Sequence, residues 1–300
     1  MPFPNYQIKR GAVEIPAGSI SYFRAGEGHP VVLLHSLALS ADMWIPVLGD
    51  FLTAGEVIAI DLRGHGRSTY DGKDFTVEEL AVDVRIVLDA LNLKKVNMLG
   101  LSMGGCVAIN FAAANPDYVE RLALCDTTSW YGPDAPKSWQ ARANTAMTRP
   151  RVMQIPFQVD RWFGERFRRI NPRMVSHVVK IFMATRPEVH AKSCLALGAF
   201  DNSGQLHNII APTLAITGED DDATPPDMGQ RLGSEIPNGR FELAKGLRHF
   251  ALLESSFVRS AVVQHFSGVE VDGEMLSSLE SCCPATVIAT VAASEEEKKR

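Results

Sequence analysis

Gly100-Leu101-Ser102-Met103-Gly104 sets a serine between two glycines, and its flanks give that spacing a physical meaning. An apolar run over 95–99 leads in and a small-residue run over 104–114 leads out, which reads as strand, sharp turn and helix. In such a turn the hydroxyl points into open space. Glycines let strand and helix approach without Cβ clashes. The helix start offers unpaired N–H groups and a positive dipole end to an anion formed beside it. The chemistry this suggests is nucleophilic attack on a carbonyl. A serine hydroxyl is a poor nucleophile at neutral pH, so the chain must also supply a base, a group that orients the base, and donors for the oxyanion.

Of the eight histidines, His249 is placed best. It follows a strand over 239–243 through a short loop and directly precedes a helix, so it sits at the carboxyl edge of a doubly wound sheet. His177, His190 and His265 fall in helical patterns and read as packing or surface residues. His65 lies in the glycine-rich loop Asp61-Leu-Arg-Gly-His-Gly-Arg-Ser68, where a structural hydrogen bond is the commoner role. For the carboxylate, Gly218-Glu-Asp-Asp-Asp-Ala-Thr-Pro225 follows a strand over 212–217 at the same edge, and the spacing favours Asp221. Asp126, at the end of the strand over 119–124, is a rival position. The oxyanion donors are expected from two main-chain N–H groups, that of Met103 and that of Leu37 in the loop after the strand over 30–34.

The elements that must hold these residues can be read around them. Two short strands over 6–26 precede continuous apolar runs at 30–34 and 57–60, which suit strands buried on both faces. Trp44, Val47, Leu48 and Phe51 recur at helical spacing. Thr76-Val-Glu-Glu79 is a capping box that opens a helix with Leu80, Val84, Val87, Leu88 and Leu91 on its apolar face. Thr224 and Pro225 predict the N-cap and first-turn proline of a helix near 225–235. Leu252, Phe257, Ala261, Val262 and Phe266 read as one face of a last core helix. Strands alternate with helices up to Asp126. From about 128 to 205 there are instead proline-broken helical segments rich in arginine and tryptophan. The reading is a mostly parallel doubly wound α/β sheet with a helical cap inserted after the sixth strand. The core spans 1–127 and 206–268, the cap 128–205, and 269–300 is a loosely attached C-terminal tail.

Composition narrows the function. A 300-residue chain with 46% hydrophobic and 22% charged residues is ordinary for a soluble globular protein. Its net charge of −5 and scattered basic residues argue against a nucleic-acid partner. Five cysteines without metal-ligand spacing, and no apolar leader, predict inert thiols and a cytoplasmic location with no membrane partner. No metal or cofactor is expected.

Taken together, His35-Ser-Leu37, the 61–68 loop, Gly100-Leu-Ser-Met-Gly-Gly105, Gly218-Glu-Asp-Asp-Asp-Ala-Thr-Pro-Pro226 and Gly246-Leu-Arg-His-Phe250 resemble the α/β-hydrolase superfamily over about 20–268. The order Ser102, Asp221, His249 follows its Ser…Asp…His pattern. Within it the chain looks most like 3-oxoadipate enol-lactonases, on Ser36, Trp139 with Arg142, Asp160-Arg-Trp-Phe163 and Ala223-Thr-Pro-Pro226. It departs from them at Glu188-Val-His-Ala-Lys-Ser193, where they tend to carry a Gly-Tyr-Ala type segment. The resemblance implies cleavage of a small ester or lactone through an acyl-enzyme on Ser102, with His249 as base and Asp221 orienting it. Trp139, Arg142, Arg161 and Trp162 are the candidate substrate-binding residues, an arginine pairing with a substrate carboxylate. C–C bond or amide hydrolysis on the same triad, or slow turnover in a ligand receptor, are the alternatives.

Overall fold

The computed structural model describes residues 6–269, so the tail expected over 269–300 lies, but for Val269, outside the described residues. Eight strands form one sheet in the order β1-β2-β4-β3-β5-β6-β7-β8. β1 (Lys9–Ile15) and β2 (Gly18–Ala25) are an antiparallel edge hairpin, and β2 also pairs antiparallel with β4 (Glu56–Ile60). β3 (Pro30–Leu34), β5 (Val96–Leu101), β6 (Val119–Cys125), β7 (Thr213–Gly218) and β8 (Gly239–Ala244) continue it in parallel with β4. The pattern follows from the sequence. All six residues of β5 and of β7 are buried, as strands covered by helices on both faces require, whereas β1 alternates toward solvent.

The first helical segment is a correction to the sequence reading. Trp44 and Val47 lie in a 3₁₀ turn over Ala41–Val47 with Pro46 inside it, and only Leu48–Phe51 forms an α-turn, α1. Proline lacks the N–H that a continuous α-helix needs there. α2 (Val77–Ala90) starts at the expected capping box: Glu79 N–H donates to Thr76 Oγ1 at 3.2 Å and Thr76 N–H to Glu79 Oε2 at 2.8 Å. α3 (Met103–Ala114) leaves directly from β5 through Ser102.

Between β6 and β7 the chain makes five helices: α4 (Ala135–Thr148), α5 (Arg151–Trp162), α6 (Glu165–Ile170), α7 (Pro172–Ala184) and α8 (Pro187–Ala199). None of the five has a side-chain cap hydrogen bond, and α4, α7 and α8 begin with proline in the first turn. α4 packs closely along α8, where a Cβ on Gly198 would stand 2.9 Å from the Cβ of Trp139. The excursion is pinched at its base by an antiparallel bridge between Trp130 and Asp201 and by Asn202 N–H donating to the Ser129 carbonyl at 2.9 Å.

The chain then closes with α9 (Pro226–Glu235), α10 (Ala251–Glu254) and α11 (Ser256–Phe266). Two expectations change here. Thr224 is not the N-cap of α9; that position is Pro225, with Pro226 in the first turn. The last helix is two helices, because Ser255 breaks out of helical geometry and caps α11 through Val258 N–H. Leu252 therefore belongs to α10 and stays buried, while Phe257 turns partly to solvent. No helix among the described residues is long and apolar enough to cross a membrane.

Candidate active site

Ser102 sits at the C-terminal end of the buried β5 with φ 55° and ψ −119°, a region that costs a non-glycine residue strain. Its neighbours make the turn feasible. A Cβ on Gly100 would meet the Gly104 carbonyl oxygen at 2.4 Å, and one on Gly104 would meet the Leu34 carbonyl oxygen at 2.3 Å. Only glycine fits where helix, turn and neighbouring strand cross so closely. Thr127 Oγ1 donates to the Ser102 carbonyl at 2.7 Å and fixes the turn from β6.

A bonded chain leads away from the hydroxyl. Ser102 Oγ lies 2.9 Å from His249 Nε2, and His249 Nδ1 lies 2.8 Å from Asp221 Oδ2. A carboxylate only accepts, so Nδ1 carries the ring proton and Nε2 is left to accept from the serine. Asp221 is anchored independently. Its Oδ1 accepts the N–H of Ala223 at 2.7 Å and of Thr224 at 3.2 Å, and its Oδ2 accepts the Thr224 hydroxyl at 2.7 Å. That last bond explains why Thr224 is unavailable as a helix cap. Burial pushes the Asp221 carboxyl up, but His249 and these donors outweigh it, so it is held below the usual carboxylate range.

Asp126, the rival carboxylate, does not reach the histidine. At φ 48° it turns its Oδ1 onto the N–H of Gly218 at 2.9 Å, and its Oδ2 is buried without a partner. Burial, then the charge of nearby Asp221, pushes its carboxyl well above the usual range. Its bond to Gly218 braces the β6 and β7 ends.

The N–H groups of Leu37 and Met103 have no hydrogen-bond partner among the described residues. The loop carrying Leu37 is latched by His35, whose Nδ1 bonds the Ser36 carbonyl at 2.8 Å while its Nε2 accepts Leu62 N–H at 2.9 Å. Full burial lowers that imidazole to about 4, so it stays neutral and structural. His65, lowered to about 3 chiefly by burial, is likewise structural.

Above Ser102 and His249 lies a small cavity. Trp139, Arg142, Arg161 and Trp162 all line it. Trp162 stacks on Phe250, next to His249, with ring centroids 5.3 Å apart. Arg142 lies over the Trp139 ring, 4.4 Å from its centroid. Burial lowers its guanidinium somewhat, and no carboxylate acts on it. Arg161 is differently placed: its Nη2 donates to the Asp222 carbonyl at 2.9 Å and its Nε lies 3.7 Å from Asp222 Oδ1. Gln158 of α5, Phe182 of α7 and His190 of α8 also line the cavity, and sequence reasoning passed over all three. No group of three or more His, Cys, Asp or Glu residues among those described could hold a metal.

Comparison with known proteins gives three kinds of relative. The family described as alpha/beta hydrolase fold matches residues 29–256. The chain is 28% identical over 240 residues to 3-oxoadipate enol-lactonase 1 of Acinetobacter baylyi, covering 79% of this chain and 87% of that protein. It is 32% identical over 220 residues to the putative carbamate hydrolase RutD of Variovorax paradoxus, covering 70% of this chain and 80% of the relative. Among solved structures, the enol-lactonase from Burkholderia xenovorans superposes with a TM-score of 0.81 at 29% identity, covering 86% of this chain and 100% of that one.

Proposed function

The chain belongs to the alpha/beta hydrolase fold family, and on that premise we propose that it cleaves a small, carboxylate-bearing ester or lactone of the 3-oxoadipate enol-lactone type through an acyl-enzyme on Ser102. The observation that carries this is the unbroken chain Asp221–His249–Ser102 beside two unengaged N–H groups. Ser102 Oγ attacks the carbonyl as its proton passes to His249 Nε2. Asp221 keeps Nδ1 protonated and stabilises the imidazolium. Leu37 and Met103 N–H groups hold the oxyanion. The C–O bond breaks and His249 returns the proton to the leaving oxygen. His249 then activates water, which cleaves the acyl ester and regenerates Ser102. In a lactone the leaving oxygen stays tethered, so the opened product departs only after deacylation.

Residues 128–205 serve in this reading as a cap that chooses the substrate. Arg142 supports the acidic substrate class, since a cation in the cavity without a carboxylate partner favours an anion. The names of the enol-lactonase relatives point the same way.

The test is a rate panel of acidic lactones, neutral aryl esters and carbamates, run beside Ser102→Ala. Acidic lactones should lead, and the variant should lose on the order of 10⁴–10⁶ in kcat. Undiminished turnover in Ser102→Ala overturns the mechanism. Equal rates on neutral esters overturn the substrate class, and a lead by carbamates moves it to the chemistry named for the Variovorax paradoxus relative.

A further inference from the structure

The segment 188–193, where this chain departs from the enol-lactonase pattern, brings His190 into the roof of the cavity over Ser102. The ring is buried and meets Phe182 edge-on, with centroids 5.8 Å apart. Its Nδ1 lies 2.7 Å from Arg151 Nη1. Arg151 is itself fixed. Its Nη2 donates to the Phe182 carbonyl at 2.6 Å, and its guanidinium lies 3.9 Å from the Phe182 ring centroid.

A guanidinium has donors and no acceptor. The bond to Arg151 therefore requires a lone pair on His190 Nδ1, and the ring must carry its single proton on Nε2. Burial, then the charges of Arg151 and Arg142, hold the imidazole well below its ordinary value, so it stays neutral. Nε2–H has no hydrogen-bond partner among the described residues. Arg142, Gln158 and His190 also form the wall shared with an outer cavity of about 230 Å³, lined further by Thr145, Arg149, Gln154 and Phe157. The roof thus offers one uncompensated cation and one neutral N–H, side by side, to whatever enters.

We propose that His190 is a specificity-determining residue whose Nε2–H donates to the remote carboxylate of the substrate beside Arg142, and that Arg151 is the positioning residue that fixes its tautomer. The assignment rests on the acidic-substrate reading above. Because the donor carries no titrating proton near neutral pH, it recognises an acceptor without adding charge, and it complements Arg142 rather than duplicating it.

The experiment uses the Ser102→Ala protein with ¹⁵N-labelled histidine and adipate as an inert dicarboxylate probe. The His190 ring should show a bare Nδ1 and a protonated Nε2, and adipate should shift the Nε2–H resonance. His190→Phe should weaken adipate binding about 10-fold, the scale of one hydrogen bond to a charged group. His190→Gln, which can place an amide N–H near the lost Nε2, should retain most of the affinity. Arg151→Met should mix the tautomers, seen in the ring ¹⁵N shifts of His190, and weaken adipate. A proton on Nδ1, or adipate binding that neither moves Nε2–H nor depends on His190, overturns the assignment alone. A parent protein that ignores adipate overturns the acidic-substrate reading, and the assignment with it.

Discussion

The floor and the roof of the cavity over Ser102 are built on opposite terms. On the floor, the side chains of Ser102, His249 and Asp221 find partners in one another and in the loop around Asp221. Asp221 takes four hydrogen bonds, His249 uses both ring nitrogens, and Ser102 is held by its own strained turn. The main-chain N–H groups of Leu37 and Met103 are left over beside the triad, and Asp126 Oδ2 is left over behind it. In the roof, Arg142 lacks a carboxylate and His190 lacks a partner for Nε2. On the proposed reading the floor sets the reaction type, and the roof, completed by a substrate, sets the choice.

The largest effect should come from the floor. Asp221→Asn keeps the shape but lets the wrong histidine tautomer form, and kcat should fall by roughly 10³–10⁴ on acidic and neutral substrates alike. A fall confined to one substrate class would put Asp221 in recognition and blur the contrast. Next, Arg142→Ala should raise KM for acidic substrates by about 10–100-fold, the worth of a lost charge-assisted hydrogen bond, and leave neutral esters within about 3-fold. Equal losses on both would make Arg142 a packing residue.

A smaller effect concerns the clasp between the two regions. Glu254 of α10 accepts Gly164 N–H, at the start of α6, at 3.1 Å. Burial raises its carboxyl to about 7 despite that bond and the nearby arginines. The folded protein therefore prefers the protonated acid. Below the unfolded carboxyl pKa, about 4.5, both states are protonated and there is no penalty. From there up to about 7 the folded state loses stability as the proton is given up. Glu254→Gln should thus melt higher than the parent at pH 8 and with it at pH 4, measured by thermal unfolding. An unchanged difference across that range would contradict the assignment. The smallest effect is local to the core. Thr76→Ala removes half of the capping box on α2 and should cost about 1 kcal/mol in denaturant unfolding without changing turnover.

The floor was legible in the sequence because each of its parts is announced locally. Glycines bracket Ser102, apolar runs mark the strands, and parallel strands bring the ends of β5, β7 and β8 to one edge. The spacing around Gly218 and Thr224-Pro225 favoured Asp221, but what keeps Asp126 away from the histidine was not legible: it is a backbone torsion that turns Asp126 onto Gly218. Thr224 read as a helix cap for a similar reason, since its competing partner is a side chain in the same loop. In the roof, Trp139 and Arg142 stood out through the resemblance to enol-lactonases. His190 did not, because its state is set by Arg151, 39 positions away on another helix.

The most direct measurement is intact-mass spectrometry of the parent enzyme quenched during turnover of a slowly deacylating ester. A species heavier by the acyl group, with the added mass on the peptide carrying Ser102 and absent from Ser102→Ala, is the predicted result. Continued turnover with no covalent species, or with the acyl group on another residue, would contradict it.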